Sequence, residues 1–319
     1  MARKPKVRNW IRALSELLPG ALADRNLSAY TTFRIGGPAA AMVSPRTPEE
    51  VADVLGVASS EGVVVLVLGL GSNVLLDDQG YHGIVLRPDS ELGGLRQDES
   101  RPGEWIVGAG FPIPLLARRT AGAGWEGVQR LVGVPGVVGG GVAMNAGAHG
   151  QDFSQVVLSV DLVSRSGELK RVESWELDWR YRETRLDGAV VTGVRLKLES
   201  ADSDALKEEV RKLFRWRRAG TPFDQPCCGS VFKNPDAAEM SGSSRTAGQL
   251  IDEAGLKGFR VGAAQVSGKH ANYIVNLGRA TSGDVKSVMS EVRSRVFKSF
   301  GIELHPEVKV IGPDGSIGL

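Results

Sequence analysis

Gly133-Val134-Pro135-Gly136-Val137-Val138-Gly139-Gly140-Gly141-Val142-Ala143-Met144-Asn145-Ala146-Gly147-Ala148-His149-Gly150 is the stretch on which the fold turns. Nearly half of it is glycine or proline, and almost everything else is small or apolar. Helix, sheet and flexible linker all suit such a composition poorly. A loop wrapped tightly against a flat ligand and its pyrophosphate suits it well, because glycine lets backbone N–H groups approach phosphate oxygens with no Cβ in the way. A shorter glycine loop, Gly69-Leu70-Gly71-Ser72-Asn73, follows the apolar run 63–68. Neither is a standard nucleotide motif. Position 74 holds Val74 where the dinucleotide fingerprint needs a third glycine, and no Gly-Lys-Ser/Thr follows either block. A lone Gly-x-Gly is read equally well as a tight turn.

Outward from these blocks, Thr47-Pro48-Glu49-Glu50 predicts a helix start, with Thr47 as cap, Pro48 in the first turn and Glu50 closing a capping box. Val51, Val54, Leu55 and Ala58 follow at helical spacing, and Gly62 ends the helix. Strands are predicted at 63–68, 74–76, 84–86, 105–107 and 190–198, a short helix at 115–121, and a hairpin from 156–164 and 169–172 around Ser166-Gly167. The acidic segment 199–204 reads as a linker. Three helices follow. The first, 205–218, has Leu206, Val210, Leu213 and Phe214 on one face; the second, 247–254, stops at Gly255. The third, 284–300, carries Val285, Val288, Met289, Val292 and Val296 on one stripe and is closed by Gly301. The pattern is α+β.

Composition narrows the function. At 319 residues the chain is long enough for two or three domains. A net charge of +2 argues for neither nucleic acid nor an acidic membrane surface. Arg3, Lys4, Lys6 and Arg8 resemble the start of a signal peptide, but Trp10, Ile11 and Arg12 follow instead of an apolar run. The longest apolar stretch, 63–68, is far too short to span a bilayer, so a soluble, cytoplasmic protein is expected. The two cysteines, Cys227 and Cys228, are adjacent and cannot staple distant segments; with four scattered histidines, no metal site is expected.

A family resemblance runs in order through roughly residues 20–312. Leu68-Gly69-Leu70-Gly71-Ser72-Asn73-Val74-Leu75 and the 133–150 block resemble the FAD-binding signature of the UDP-N-acetylenolpyruvoylglucosamine reductase (MurB) family. Thr31-Thr32-Phe33-Arg34-Ile35-Gly36-Gly37-Pro38-Ala39 resembles its N-terminal motif, Tyr181-Arg182-Glu183-Thr184 its Tyr-Arg-x-Ser motif, and Cys228-Gly229-Ser230-Val231-Phe232-Lys233 its serine loop. Segments 247–258, 266–272 and His305-Pro306-Glu307-Val308 match the substrate domain and the terminal motif. The Cys-Gly-Ser-Val-Phe form is similar to the subgroup that lacks an extra tyrosine-bearing substrate loop. The resemblance implies an FAD-binding fold of the vanillyl-alcohol-oxidase (PCMH) type. After an N-terminal extension (1–20), two FAD subdomains (21–90 and 91–200) and a C-terminal α/β substrate domain (201–319) are expected, with a terminal strand at about 302–312 returning to the active site. It also implies non-covalent FAD, NADPH as co-substrate, UDP-N-acetylglucosamine-enolpyruvate as substrate, and a monomer or weak oligomer.

In the implied reaction, hydride passes from the flavin to the enolpyruvyl methylene carbon, and the neighbouring carbon becomes a carbanion conjugated to a carboxylate. The resemblance assigns the carboxylate to Arg182, whose planar fork stays protonated. It gives polarisation of that centre to Glu307, whose acidity burial can tune, and the proton to Ser230. Implied cofactor contacts are Arg34, Gly69, Gly71, Ser72, Asn73, Gly133, Pro135, Gly136, Gly139, Gly140, Asn145, Ala146, Gly147, Ala148 and Val194. Implied substrate contacts are Tyr181, Lys233, Asn234, Lys257, Lys269, His270 and Asn272. Bland alternatives stand beside them: Arg182 in a solvated ion-pair face, Asn145 in a left-handed turn, the lysines on an ordinary surface. Covalent attachment at His149 is not expected. Two positions depart from the family: Thr184 replaces a serine, and Gly220 a lysine common just before the serine loop. A flavin oxidase of the same fold and a non-catalytic nucleotide-sugar or flavin binder are the rival functions.

Overall fold

A computed structural model describes residues 9–18, 20–88, 92–235 and 245–318; Arg3, Lys4, Lys6 and Arg8 lie outside the described residues. Packing divides the chain into two compact units. One comprises Met1–Arg25, Ala39–Gly69 and His82–Arg215; the other comprises Asn26–Pro38, Leu70–Tyr81 and Trp216–Leu319.

The first unit has two principal cores. In one, helix α1 (Asn9–Leu17) buries Trp10 and Leu14 against α2 (Pro48–Glu61), so the segment ahead of the family resemblance contributes to the core. The start of α2 is as the sequence predicts: the Glu50 N–H donates to Thr47 Oγ1 (3.2 Å), Pro48 opens the first turn, and Gly62 closes the helix in the left-handed region. One detail differs. The Glu50 carboxylate accepts from the Arg46 N–H at 2.7 Å, not from Thr47, and so ties down the chain one residue before the cap. The sheet beside them runs in the order Leu22–Asn26, Pro38–Val43, Tyr81–Leu86, Val65–Val67. The strand predicted over 63–68 shortens to Val65–Val67, with Val64 and Val67 exposed.

The other core lies on an antiparallel sheet ordered Leu169–Glu173, Val157–Val163, Val190–Lys197, Glu104–Gly108, Leu95–Gln97. The predicted hairpin is its edge, with Val163 opposite Leu169. Helix α3 (Ile113–Gly122) and the short α4 (Val138–Ala143) pack here. Helix α4 corrects the loop reading of the glycine block. Three glycines are poor helix formers, but Val138 and Val142 are fully buried, and a Cβ on Gly141 would lie 2.5 Å from the Phe153 ring and 2.8 Å from Ile113. Packing overrides propensity. The linker predicted at 199–204 is also corrected. Glu199–Ser200 pairs with Trp125–Glu126, and α5 (Ser203–Gly220) starts at once, with Leu206 and Val210 buried on Ala117, Ala121 and Val132.

The second unit sets α6 (Ala247–Glu253) and α7 (Ser282–Phe300) on the strands Arg260–Val261, Ala264–Val266 and Ile274–Asn276. Both helices start in reciprocal capping boxes, Thr246 with Gln249 and Thr281 with Asp284, and Gly301 ends α7 in the left-handed region. The terminal strand Lys309–Ile311 pairs in parallel with Val74–Leu76, directly after the shorter glycine loop.

Candidate functional site

In the first unit the two glycine segments touch. A Cβ on Gly69 would lie 2.8 Å from Val137 Cγ2, and one on Gly139 would lie 2.9 Å from the Ala109 Cβ, so both glycines are required by close approach. Gly140 differs from its neighbours: it is exposed, and nothing lies within 4 Å of where its Cβ would project. Gly133 ends a 3-10 turn, Pro135 is exposed, and Gly136 has φ 137°. Asn145 takes φ 37°, with its side chain bonded inward: Nδ2 donates to the Arg180 carbonyl (3.1 Å) and Oδ1 accepts from the Ser154 N–H (3.1 Å). Gly147 and Ala148 form a short strand with Gln151 and Asp152. Val194 lies mid-strand with its side chain in the core.

Tyr181 and Arg182 form the turn of a hairpin whose legs are Asp178–Arg180 and Glu183–Arg185. Arg182 has φ 59°, and its guanidinium carbon sits 5.0 Å from the centre of the half-exposed Tyr181 ring. That guanidinium reaches the glycine block, since Nη1 lies 3.2 Å from the position a Gly147 Cβ would take. Thr184 is buried and its hydroxyl donates to the Val142 carbonyl at 2.6 Å. A serine can make the same bond, so this departure from the family motif preserves the contact.

The second unit gathers the rest. Arg34 takes φ 55° in a turn held by Thr31, whose hydroxyl donates to the Ile35 carbonyl (3.0 Å). Gly71 has φ 62°, a Cβ there would strike the Tyr30 carbonyl, and its own carbonyl accepts from the Thr32 N–H (3.1 Å). The Gly229 Cα lies alongside Ser72, a Cβ there being 3.9 Å from the Ser72 carbonyl oxygen. Next along the chain, Ser230 is half-buried, and its neighbour Val231 accepts from the Glu307 N–H at 2.8 Å. Asn73 joins the same knot: its Nδ2 donates to the Glu307 carbonyl (3.2 Å), and its carbonyl accepts from the Lys309 N–H (3.0 Å). The glycine loop and the serine loop are therefore each bonded to the terminal segment.

Of the predicted substrate contacts in this unit, most have internal partners. The Lys233 N–H donates to the His305 carbonyl (2.9 Å), and Asn234 Oδ1 accepts from the first N–H of α6 (3.1 Å). Lys257 pairs with Asp252 at 2.6 Å. Lys269 Nζ donates to the carbonyls of Arg218 (3.0 Å) and Thr221 (2.9 Å), at the end of α5. Asn272 is buried, with both amide atoms spent on Phe232 (3.0 and 2.8 Å). His270 Nδ1 accepts from the Asn272 N–H (3.2 Å); burial, reinforced by Arg217 and Lys257, holds its pKa below the ordinary value. Nothing lies within 4 Å of a Cβ on Gly220. Cys227 and Cys228 are free thiols, both pushed above the ordinary value chiefly by burial, Cys228 well above it. Among the described residues no group of three or more His, Cys, Asp or Glu is placed to hold a metal ion, and no helix is long and apolar enough to cross a membrane.

Sequence reading missed Gly141 and the hydrogen bond of Thr184. Glycine at 141 is demanded by Phe153, and no local pattern announces that. The signal for Thr184 was present, because the hydroxyl survives the departure from serine.

Comparison with known proteins points to a single family. A sequence model described as the C-terminal domain of UDP-N-acetylenolpyruvoylglucosamine reductase matches residues 221–311, and one described as an FAD binding domain matches residues 39–173. A UDP-N-acetylenolpyruvoylglucosamine reductase from Symbiobacterium thermophilum is 43% identical over 288 residues, 90% of each chain. One from Heliobacterium modesticaldum is 40% identical over 91% of this chain and 90% of its own. The crystal structure of the Thermus caldophilus reductase superposes with a TM-score of 0.74 at 35% identity, covering 91% of this chain and 97% of that one.

Proposed function

Because the chain belongs to the UDP-N-acetylenolpyruvoylglucosamine reductase family, we infer that it performs that family's reaction with FAD and NADPH. Its product is UDP-N-acetylmuramate, a precursor of peptidoglycan. The oxidase alternative is set aside, since similarity to the reductases spans both the FAD-binding region and the segment carrying Ser230 and Glu307.

The residues present fit the cofactor. Gly69 and Gly139 are glycines because backbone or side chain crowds them, whereas Gly140 presents a bare helical backbone to open space. Such a surface suits a flat ring or a pyrophosphate, as do the turns at Gly71, Ser72 and Asn73. We assign Arg34, Gly69, Gly71, Ser72, Asn73, the block from Gly133 to Ala148 and the strand carrying Val194 to holding FAD. When bound, FAD supplies the hydride chemistry, accepting from NADPH and giving to the enolpyruvyl double bond. The chain's own groups do the rest. Arg182 holds the substrate carboxylate as negative charge builds on it. The Ser230 hydroxyl gives its proton to the carbon next to that carboxylate, and Glu307 polarises the same centre. Tyr181, Lys233, Asn234, Lys257, Lys269 and His270 are assigned to the nucleotide sugar, with Asn272 holding the serine loop in place. The domain assignment belongs to the same proposal: residues 21–90 and 91–200 as FAD subdomains, supported by the two cores of the first unit, and 201–319 as substrate domain. So do a cytoplasmic setting and a monomer or weak oligomer.

The observation that carries the catalytic assignment is the direct backbone bonding of the Ser230 loop to the Glu307 segment, with Asn73 of the glycine loop bonded to both that segment and its continuation. The test is anaerobic stopped-flow. Ser230→Ala should keep its yellow cofactor and bleach with NADPH, yet reoxidise with the enolpyruvyl sugar on the order of 10²-fold slower. Reoxidation at the wild-type rate removes Ser230 as proton donor.

A further inference from the structure

Arg182 stands at the tip of a hairpin with three-residue legs, in left-handed backbone that a side chain rarely adopts. Two short strands are marginal by themselves, and a non-glycine residue keeps such a conformation only where its surroundings over-determine it. The ion pairs on this hairpin, Arg180–Asp178 and Arg185–Asp187, are solvent-exposed and contribute little. Trp179 packs on the core and its indole N–H donates to the Ser174 carbonyl (2.9 Å), and two further bonds run to one short stretch of the glycine block. On the leg before the turn, Asn145 Nδ2 holds the Arg180 carbonyl (3.1 Å). On the leg after it, the buried Thr184 hydroxyl holds the Val142 carbonyl (2.6 Å). Asn145 is itself fixed by the Ser154 N–H on its other amide atom, and the missing side chain at Gly147 makes room for the guanidinium.

We propose that Thr184 and Asn145 are positioning residues that clamp the Arg182 hairpin, leg by leg, onto residues 142–145 of the segment assigned to the flavin. The inference rests on the role given to Arg182 above. It makes the cofactor loop and the carboxylate-binding arginine one mechanical element, so that the block which holds the flavin also sets where the substrate carboxylate is held. Thr184→Val keeps the shape and deletes only the donor, whereas Thr184→Ser keeps the donor.

In the FAD-loaded enzyme, Thr184→Val should retain its flavin and be reduced by NADPH within about twofold of wild type. Reoxidation by the enolpyruvyl sugar should slow between about tenfold and 10²-fold, the scale of a small misplacement of a substrate-holding group. Thr184→Ser should stay within about twofold of wild type on both half-reactions, since its bond is intact. Independently of turnover, backbone amides of residues 178–185 should exchange hydrogen faster in Thr184→Val, and not in Arg182→Ala. In an Arg182→Ala background the added Thr184→Val change should cost little more, because both act through one group. Asn145→Gly, which keeps the left-handed backbone and deletes both side-chain bonds, should slow the same half-reaction. The clamp is overturned if Arg182→Ala is slow while Thr184→Val reoxidises normally. It is overturned equally if Thr184→Val emerges colourless and does not take up added FAD, since the hydroxyl then serves the cofactor loop alone. Normal reoxidation by Arg182→Ala itself removes instead the role of the arginine on which the clamp depends.

Discussion

His270 accepts the Asn272 N–H on Nδ1, which an imidazolium cannot do, and burial together with Arg217 and Lys257 disfavours the charged ring. The consequence for stability has a definite sign. The folded-state pKa lies below the ordinary 6.5, so the unfolded chain takes up its proton first as pH falls. Stability from this group is therefore intact above pH 6.5, declines as acidity carries the solution through the folded value, and then levels. Replacing His270 by Asn preserves an acceptor near Nδ1 and removes the titration. Melting curves between pH 7 and 5 should fall more steeply for wild type than for His270→Asn; equal slopes contradict the account. In the sequence, only the family motif marks His270 as an expected substrate contact. The partner that fixes its tautomer is only two residues away, but burial and the Arg217 charge depend on the fold.

At the scale of elements, α4 shows what glycine is for in this protein. Gly139 and Gly141 are packing requirements, whereas Gly140 is helical, exposed and uncrowded. Packing alone leaves no reason to avoid alanine there, and alanine favours helical backbone by about 0.5–1 kcal/mol. If the bare backbone faces the cofactor, Gly140→Ala should raise the melting temperature of the apoprotein slightly and weaken FAD binding, measured by titrating the stripped protein. Unchanged FAD affinity argues that the cofactor lies elsewhere. The density of glycine in the block was plain from sequence, but its partial helicity was not. That helix is stabilised by Ile113 and Phe153, which no local window contains.

The whole molecule assigns the second unit three separate pieces of chain. Its core joins Phe33, Ile35 and Leu75 to Val285, Met289, Val308 and Val310, and the terminal strand Lys309–Ile311 finds its partner in Val74–Leu76. A fragment of residues 201–319, the substrate domain as sequence motifs delimit it, lacks those partners. It should show neither a cooperative thermal transition nor native near-ultraviolet dichroism, and a cooperative melt contradicts this division. By itself the sequence determined the family, helices α2, α3, α5, α6 and α7 with the caps Thr47, Gly62 and Gly301, and the hairpin, because these depend on local spacing and on residue type. Only tertiary structure decided that the Ser230 loop and Asn73 each bond to the terminal segment around Glu307, that Thr184 and Asn145 grip the Arg182 hairpin, and which glycines are packing and which are surface. Those are contacts between distant segments, selected by burial and backbone hydrogen bonding, and no periodicity along the chain encodes them.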